Sequence, residues 1–172
     1  GLPDKAVAES RERVRAALSS MGIQLPAKKI LVNLAPADVQ KEGSHFDVPI
    51  ALGLLVALGM IPQDALAEFT ALGELALDGQ LLPVAGVLPA ALGASAEGRG
   101  LICPEGNGAE AVFAGDLDVL APSSLLALIN HFKGHQLMTR PEASRHFHWA
   151  EAGRVTDSTS RARTARPALR SG

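Results

Sequence analysis

The chain has 172 residues, 47% of them apolar, which is enough for one domain with a substantial core followed by a tail. Aromatic residues make up only 3%, so the core is expected to be aliphatic, and stacking platforms for single-stranded nucleic acid are disfavoured. The formal net charge of −2 provides no overall electrostatic field to attract a polyanion, although a local basic patch is still possible. The lone Cys103 excludes an intramolecular disulfide and a cysteine-rich zinc site, and is predicted to be a small buried apolar residue.

The N-terminal part of the chain predicts a helix, a strand and a second helix. Apolar residues at helical spacing indicate an amphipathic helix over 3–21, with Glu9 and Arg13 paired on its polar side. The β-branched run 29–34 predicts a strand. The mostly apolar stretch 46–60 predicts a buried helix, and it is shorter than the roughly 18 residues that span a bilayer.

The middle of the chain predicts a β-hairpin followed by a helix. Two apolar runs, 69–77 and 80–84, are joined by Asp78-Gly79, and Asp-Gly between apolar runs is a strong hairpin signal. Residues 87–96 then predict a helix.

The last part of the domain alternates strands and helices. Residues 101–103 and 117–120 predict strands, and residues 108–113 and 123–132 predict helices. Ser123 or Ser124 is available to cap the last helix. This alternation predicts an α/β domain with a mixed, partly parallel sheet and packed helices.

Two units are therefore expected, a domain over 1–141 and a tail over 142–172. The end of the tail, 154–172, carries five arginines against one aspartate and shows no periodicity, which predicts disorder. Those arginines allow a second interpretation, in which the tail is a nucleic-acid-binding module, although a solvated tail is the favoured interpretation.

Several residues could suggest chemistry but are better explained by structure. Ser44 beside His45 could be a nucleophile and a base, but adjacent residues in an extended loop point apart, and no third orienting group is identifiable. His131 and His135 could hold a metal from one helix face, but Gly134 lies between them at the expected helix end, which favours solvent-facing histidines.

Other motifs are weaker still. His146 and His148 in the tail could ligate a metal, and 106–108 could offer backbone N–H groups to an anion, but a turn explains 106–108. No Gly-x-x-x-x-Gly-Lys-[Ser/Thr] occurs in the chain, so a nucleotide phosphate cannot be held by that route. No metal or cofactor site is predicted.

Four ordered segments, 1–18, 33–38, 41–52 and 73–89, resemble the ComM/YifB family of magnesium-chelatase-related AAA+ ATPases. The resemblance extends from residue 1 to about 141. It implies a Lon-protease-like domain, of the ribosomal-protein-type left-handed βαβ superfamily, that precedes an ATPase module.

The resemblance also locates the positions of a Lon-type Ser-Lys dyad. The segment similar to Lys41-Glu42-Gly43 leads, in Lon-type peptidases, to a catalytic serine that falls on His45, or at best on neighbouring Ser44. The catalytic lysine falls on Leu88. Because the lysine amine must take the hydroxyl proton, this resemblance implies a proteolytically inert relative.

For the parent protein, the resemblance implies a bacterial, cytoplasmic, ring-forming ATPase that acts on DNA, with a role in branch migration during natural transformation. ATP and Mg²⁺ are then cofactors of the parent's ATPase module and not of this chain. The implied partners are that module, neighbouring ring subunits and DNA, with no membrane.

The sequence departs from the family at both ends. Family members carry further strands before residue 1, and after about residue 141 they continue toward a Walker A loop. We expect a truncated or frame-shifted reading frame, with no signal peptide. A sheet that lacks those strands exposes an edge, so the isolated chain is expected either to be marginally stable or to form a homo-oligomer.

The leading hypothesis is a non-catalytic Lon-like domain that serves in assembly or substrate engagement. A Ser-Lys peptidase using Ser44, with Lys41 or Lys28 as the base, is the rival from the enzyme class. The residues proposed as interface or conformational elements surround two turns: Lys41, Glu42, Gly43, Phe46, Asp47, Glu74, Asp78 and Gly79. Turn chemistry and helix capping are the alternative explanation for this set.

Overall fold

The structure, a computed structural model, describes residues 5–35 and 43–143. The helices are α1 (Lys5–Ser20), α2 (Asp47–Ala57), α3 (Gln63–Ala67), α4 (Val87–Ala96), α5 (Gly108–Ala111) and α6 (Leu125–Phe132). The strands are β1 (Phe69–Ala71), β2 (Glu74–Leu75), β3 (Leu81–Leu82), β4 (Gly100–Ile102) and β5 (Val119–Leu120). Two short 3₁₀ segments, Glu105–Asn107 and Val112–Ala114, flank α5.

Two small sheets organise the described part of the chain. Strands β1, β4 and β5 form a parallel sheet in that order, with Phe69 opposite Gly100 and Leu101 opposite Val119. Strands β2 and β3 form the antiparallel hairpin. Parallel neighbours need crossover connections, which α4 and α5 supply. The prediction of an α/β domain with a partly parallel sheet is confirmed.

The parallel sheet separates two hydrophobic cores. Successive side chains of a strand point to opposite faces, so Ile102 joins one core and its neighbour Leu101 joins the other. The larger core contains Leu18 from α1 and Leu52 from α2, and the smaller core contains Val87 from α4. As the composition predicted, the buried core side chains are aliphatic apart from Cys103.

The predicted strand at 29–34 is wrong. These residues adopt no regular secondary structure, and the Leu31 side chain is 84% exposed. A strand needs a neighbour to take its N–H and C=O groups, and no strand within 5–35 or 43–143 pairs with this run. A β-branched composition favours an extended backbone but does not supply that neighbour.

The predicted strand 69–77 is divided into two. β1 ends at Ala71, and β2 of the hairpin begins at Glu74. Gly73, between them, has a φ of 154°, and a Cβ there would lie 2.9 Å from the Val48 side chain. A glycine at this close approach lets the chain leave the parallel sheet and enter the hairpin.

The helix predictions hold within a few residues, and only α3 has no predicted counterpart. Helix α1 buries Val14 and Leu18, and Gly22 follows it with a φ of 74°. Helix α4 has the predicted bounds, and Ser124 caps α6 by accepting a hydrogen bond from the Ala127 N–H at 3.1 Å. In the part of the chain that the structure describes, no helix has the length and apolar character to cross a membrane.

Candidate functional site

The structure brings the two motif segments, 43–50 and 73–86, into direct contact. The Gly73 N–H donates to the His45 carbonyl at 3.0 Å, and the Val48 N–H donates to the Gly73 carbonyl at 3.1 Å. The Ser44 hydroxyl donates to the Glu74 carboxylate. We call this contact region the motif junction; it comprises Gly43 to Val48 and Gly73 to Leu75.

Asp47 is the centre of the motif junction. Its side chain is fully buried and accepts from the Ser10 hydroxyl at 2.5 Å and from the Leu75 N–H at 3.0 Å. Arg13 donates to both carboxylate oxygens, from Nε at 2.6 Å and from Nη2 at 3.0 Å. This charge-assisted, two-point contact joins α1, α2 and the hairpin through one carboxylate.

Arg13 has a different principal partner from the one predicted. The sequence paired it with Glu9, whose carboxylate lies 3.9 Å from Nη1, whereas Asp47 lies at 2.6 Å. The hydrogen bond to Asp47 raises the pKa of the Arg13 guanidinium, against the opposing effect of burial, and the negative charges of Asp47, Glu74 and Glu9 raise it further. No spacing rule could reveal this pair, because the partners lie 34 residues apart.

The positions implied for a Lon-type dyad do not form one in the described residues. Ser44 donates to a carboxylate, and the His45 ring packs against Phe46 with centroids 4.1 Å apart, so the two side chains have separate partners. Leu88, where the resemblance places the lysine, has an aliphatic side chain, and its N–H donates to Glu110 at 3.0 Å. A peptidase mechanism needs a base near the hydroxyl, and in residues 5–35 and 43–143 no lysine or histidine nitrogen hydrogen bonds to Ser44.

The other predicted interface residues either lie in the hairpin turn, away from Asp47, or are not among the described residues. Asp78 lies in the exposed hairpin turn, where its carboxylate accepts from the Gln80 N–H at 3.1 Å. Gly79 has a φ of 89°, as a hairpin turn requires, and its carbonyl accepts from the Leu125 N–H at 2.9 Å. Lys41 and Glu42 lie outside the described residues.

The structure supports a metal or anion site at none of the weaker candidates that lie within residues 5–35 and 43–143. The Asn107 side chain donates to the Val84 carbonyl and accepts from the Val84 N–H, both at 3.0 Å, which supports the turn interpretation of 106–108. Helix α6 ends at Phe132, so His131 and His135 are not one turn apart on a helix. No group of three metal-ligating side chains occurs within 5–35 and 43–143. His146 and His148 lie outside those residues.

Cys103 is fully buried, as predicted. Burial, with a smaller contribution from the charge of Glu110, raises the pKa of its thiol to about 12. A thiol in this environment stays protonated at neutral pH and does not act as a nucleophile.

Sequence reasoning did not anticipate a polar cleft at the amino ends of the parallel strands. The cleft has a volume of about 600 Å³, and its lining includes Glu68, Arg99, Asp116, Asp118 and His131. Its walls come from several loops and helix ends, and no local motif brings such residues together. The sequence feature that could have indicated the cleft is the charged residue that precedes each parallel strand, namely Glu68, Arg99 and Asp118.

A comparison with protein families decides the family. The model described as subunit ChlI of Mg-chelatase matches residues 1–107, which is more than half of the chain. The chain belongs to the ChlI family. The ChlI match contains the whole motif junction and ends before the His131 end of α6.

Individual ChlI-related proteins are similar over most of this chain. The competence protein ComM of Haemophilus influenzae is 43% identical over 79% of the chain and 27% of its own length. The YifB proteins of Escherichia coli and Salmonella typhimurium are 39% and 38% identical over 83% of the chain, and 28% of their own lengths. The chain therefore spans just over a quarter of the length of these relatives.

The ChlI family comprises magnesium-chelatase-related AAA+ ATPases that depend on ATP and Mg²⁺. The residues present here do not fit a nucleotide in the usual P-loop manner, since the 172 residues contain no Gly-x-x-x-x-Gly-Lys-[Ser/Thr]. We therefore assign no step of ATP hydrolysis to this chain.

Proposed function

We propose that this chain is a non-catalytic, Lon-like domain of a ComM/YifB-type AAA+ ATPase that processes DNA. In the parent protein it serves in ring assembly or in engagement of the DNA substrate. Its proposed partners are the ATPase module, neighbouring subunits and DNA. The name of the Haemophilus influenzae relative, a competence protein, supports the association with DNA processing.

The observation that carries this proposal is the motif junction around Asp47. Both segments that match the ChlI family are used to fix one element against another, through the Asp47 carboxylate and the backbone bonds at Gly73. A buried carboxylate whose oxygens accept four hydrogen bonds is suited to holding shape and has little freedom for proton transfer.

The inert character of the domain is supported by Ser44 and Leu88. The Ser44 hydroxyl donates a hydrogen bond to the Glu74 carboxylate, and the position implied for the lysine holds Leu88. The rival is a Ser-Lys peptidase that uses a lysine such as Lys41 or Lys28.

Labelling with a serine-reactive phosphonate separates these two functions. We expect no covalent adduct on the folded chain under conditions that label an active Lon-type peptidase. An adduct that disappears in Ser44→Ala would overturn the inert domain. Ser123→Ala, which removes an exposed serine elsewhere in the chain, is the matched control.

A second experiment tests DNA engagement by the domain. Fluorescence anisotropy of single-stranded and branched DNA is measured across a salt series with the full chain and with a chain lacking 154–172. Binding that survives the deletion supports substrate engagement by the folded domain, and no binding by either chain supports assembly. Binding lost with the deletion would place the contact in the arginines of 154–172 and overturn engagement by the domain.

The proposal also includes self-association of the isolated chain. The exposed apolar run Ile30 to Val32 has no strand partner among the described residues, and such a run can pair with a second copy. Light scattering of the chain used for anisotropy gives the oligomeric state in the same samples.

A further inference from the structure

The segment after α6 folds back along the body of the protein. Gly134, with a φ of 72°, ends the helix, and the N–H groups of His135 and Gln136 both donate to the Asn130 carbonyl, at 2.9 and 3.3 Å. The chain then continues to Pro141. We call residues 134–141 the strap; they lie beyond the region that matches the ChlI family.

One side chain holds the middle of the strap. The N–H of Met138 donates to Nδ1 of His131 at 3.0 Å. Met138 is half-buried and packs against the larger hydrophobic core. The hydrogen bond therefore fixes the strap at the point where its apolar side chain enters the core.

The far end of the strap is held by Arg140 and Pro141. Arg140 Nη2 donates to the Gly115 carbonyl at 2.6 Å, and Nη1 lies 3.5 Å from an Asp116 carboxylate oxygen. The Pro141 ring lies against Gly108, where an added Cβ would approach it to 2.9 Å. Since His131 and Asp116 both line the polar cleft, the strap runs between two residues of the cleft wall.

The acceptor at His131 exists only in the neutral imidazole. A ring nitrogen that accepts a hydrogen bond carries no proton, so His131 here has its proton on Nε2. A protonated imidazole has two N–H donors and no acceptor, and it would place an N–H against the N–H of Met138. Imidazole is the side chain that ordinarily titrates between about pH 5 and 8.

The charges that face His131 come from several elements. The carboxylates of Glu68, Asp116 and Asp118 line the same cleft and carry negative charge, and Arg99 on the cleft wall carries positive charge. On the side of α6, Lys133 and His135 follow within four residues and carry or can gain positive charge.

We propose that the strap is a pH-sensitive device, latched to His131 when the imidazole is neutral and released when the imidazole is protonated. The released strap lifts Met138 from the core and opens the side of the cleft between His131 and Asp116. The latched state binds one proton fewer than the released state, so falling pH favours release.

The methionine content of the chain provides a direct test. The sequence has three methionines, so ¹⁵N-methionine labelling of the full chain gives three backbone amide resonances. The amides of Met21 and Met60 donate to the carbonyls of Leu18 and Leu55, at 3.2 and 2.9 Å, which do not titrate. They serve as internal controls for folding and for general pH effects.

On acidification from about pH 8 to 5, we expect the Met138 resonance to shift along a one-proton curve while Met21 and Met60 stay in place. In His131→Asn, the side-chain oxygen offers an acceptor that does not titrate, so the Met138 shift should be lost. His135→Asn should leave it intact. A Met138 resonance that is insensitive to pH, or that titrates unchanged in His131→Asn, would overturn the latch.

A second measurement needs no variant. The ¹⁵N shifts of labelled histidine should show His131 as the Nε2–H tautomer at about pH 8, with its ring and the Met138 amide titrating at the same midpoint. An Nδ1–H tautomer would contradict the latch even if His131→Asn did not fold.

Discussion

At the residue scale, the Asp47 carboxylate joins α2 to α1 and to the hairpin. Asp47 lies in the first turn of α2, within the helix predicted over 46–60. Its contacts to Arg13 and Leu75 join residues 34 and 28 positions away, and no local rule describes them. The resemblance to the family identified Asp47 and Glu74 as members of shared segments, but only the structure shows that they meet at one junction.

Replacing Asp47 with alanine should destabilise the protein strongly. The change leaves the Arg13 guanidinium, the Ser10 hydroxyl and the Leu75 N–H without their common acceptor. Removing one partner of a buried ion pair typically costs about 3–5 kcal/mol of unfolding free energy. Urea denaturation followed by circular dichroism measures the loss.

The matched control for Asp47 is Asp78→Ala. This carboxylate is exposed in the hairpin turn and bonds only to Gln80 among the described residues. We expect a loss below about 1 kcal/mol. Equal effects of the two substitutions would refute the central place of Asp47 in the motif junction.

The buried thiol of Cys103 predicts that the stability of the fold depends on pH in the alkaline range. Its folded-state pKa of about 12 lies above the ordinary value of 9.0, so the folded state holds the thiol proton more tightly than the unfolded state does. The contribution of this thiol to the free energy of unfolding is fully present below about pH 9 and declines as the pH rises toward 12. Denaturation curves across this range should show the decline for the native chain and a smaller one for Cys103→Ala.

The same burial should make Cys103 unreactive. At about pH 8 a disulfide reagent should modify the thiol only when guanidinium unfolds the protein. Rapid stoichiometric modification of the folded chain would contradict the buried, protonated thiol.

At the element scale, the helices were predicted well and the strands less well. Helix α1 is specified by its own periodicity and by the glycine that follows it, Gly22, and both can be seen within one segment of the sequence. A strand depends on its neighbour. This is why 29–34, with suitable composition, remains unpaired, and why 69–77 divides between two sheets at Gly73.

The start of α6 gives a test at this scale. Ser124→Ala removes the side-chain acceptor for the Ala127 N–H and should cost about 1 kcal/mol of unfolding free energy. Ser123→Ala is the control, because Ser123 is exposed and contributes its carbonyl, not its side chain, to the Leu81 N–H. Thermal unfolding of both variants measures the difference. A larger loss of stability for Ser123→Ala would show that Ser124 is not the cap.

At the scale of the whole molecule, the α/β class followed from the order of elements, whereas the arrangement of functional surfaces did not. Alternating helices and strands predicted the parallel sheet, but its order, β1-β4-β5, depends on a crossover from β1 to β4 that skips the intervening hairpin. The polar cleft and the strap are built from residues of separate elements, between positions 65 and 141 of the chain. Their geometry arises only when the sheet has assembled.

Strand β4 has a further consequence through its two neighbouring side chains, Leu101 and Ile102, which enter opposite cores. A slip of one residue in its pairing would exchange the two and place each against the wrong set of neighbours. Both cores would then be misfilled by a single error. The pairing register of β4 therefore determines the packing of both cores at once. A misaligned sheet would lose packing energy in both cores and not in one alone.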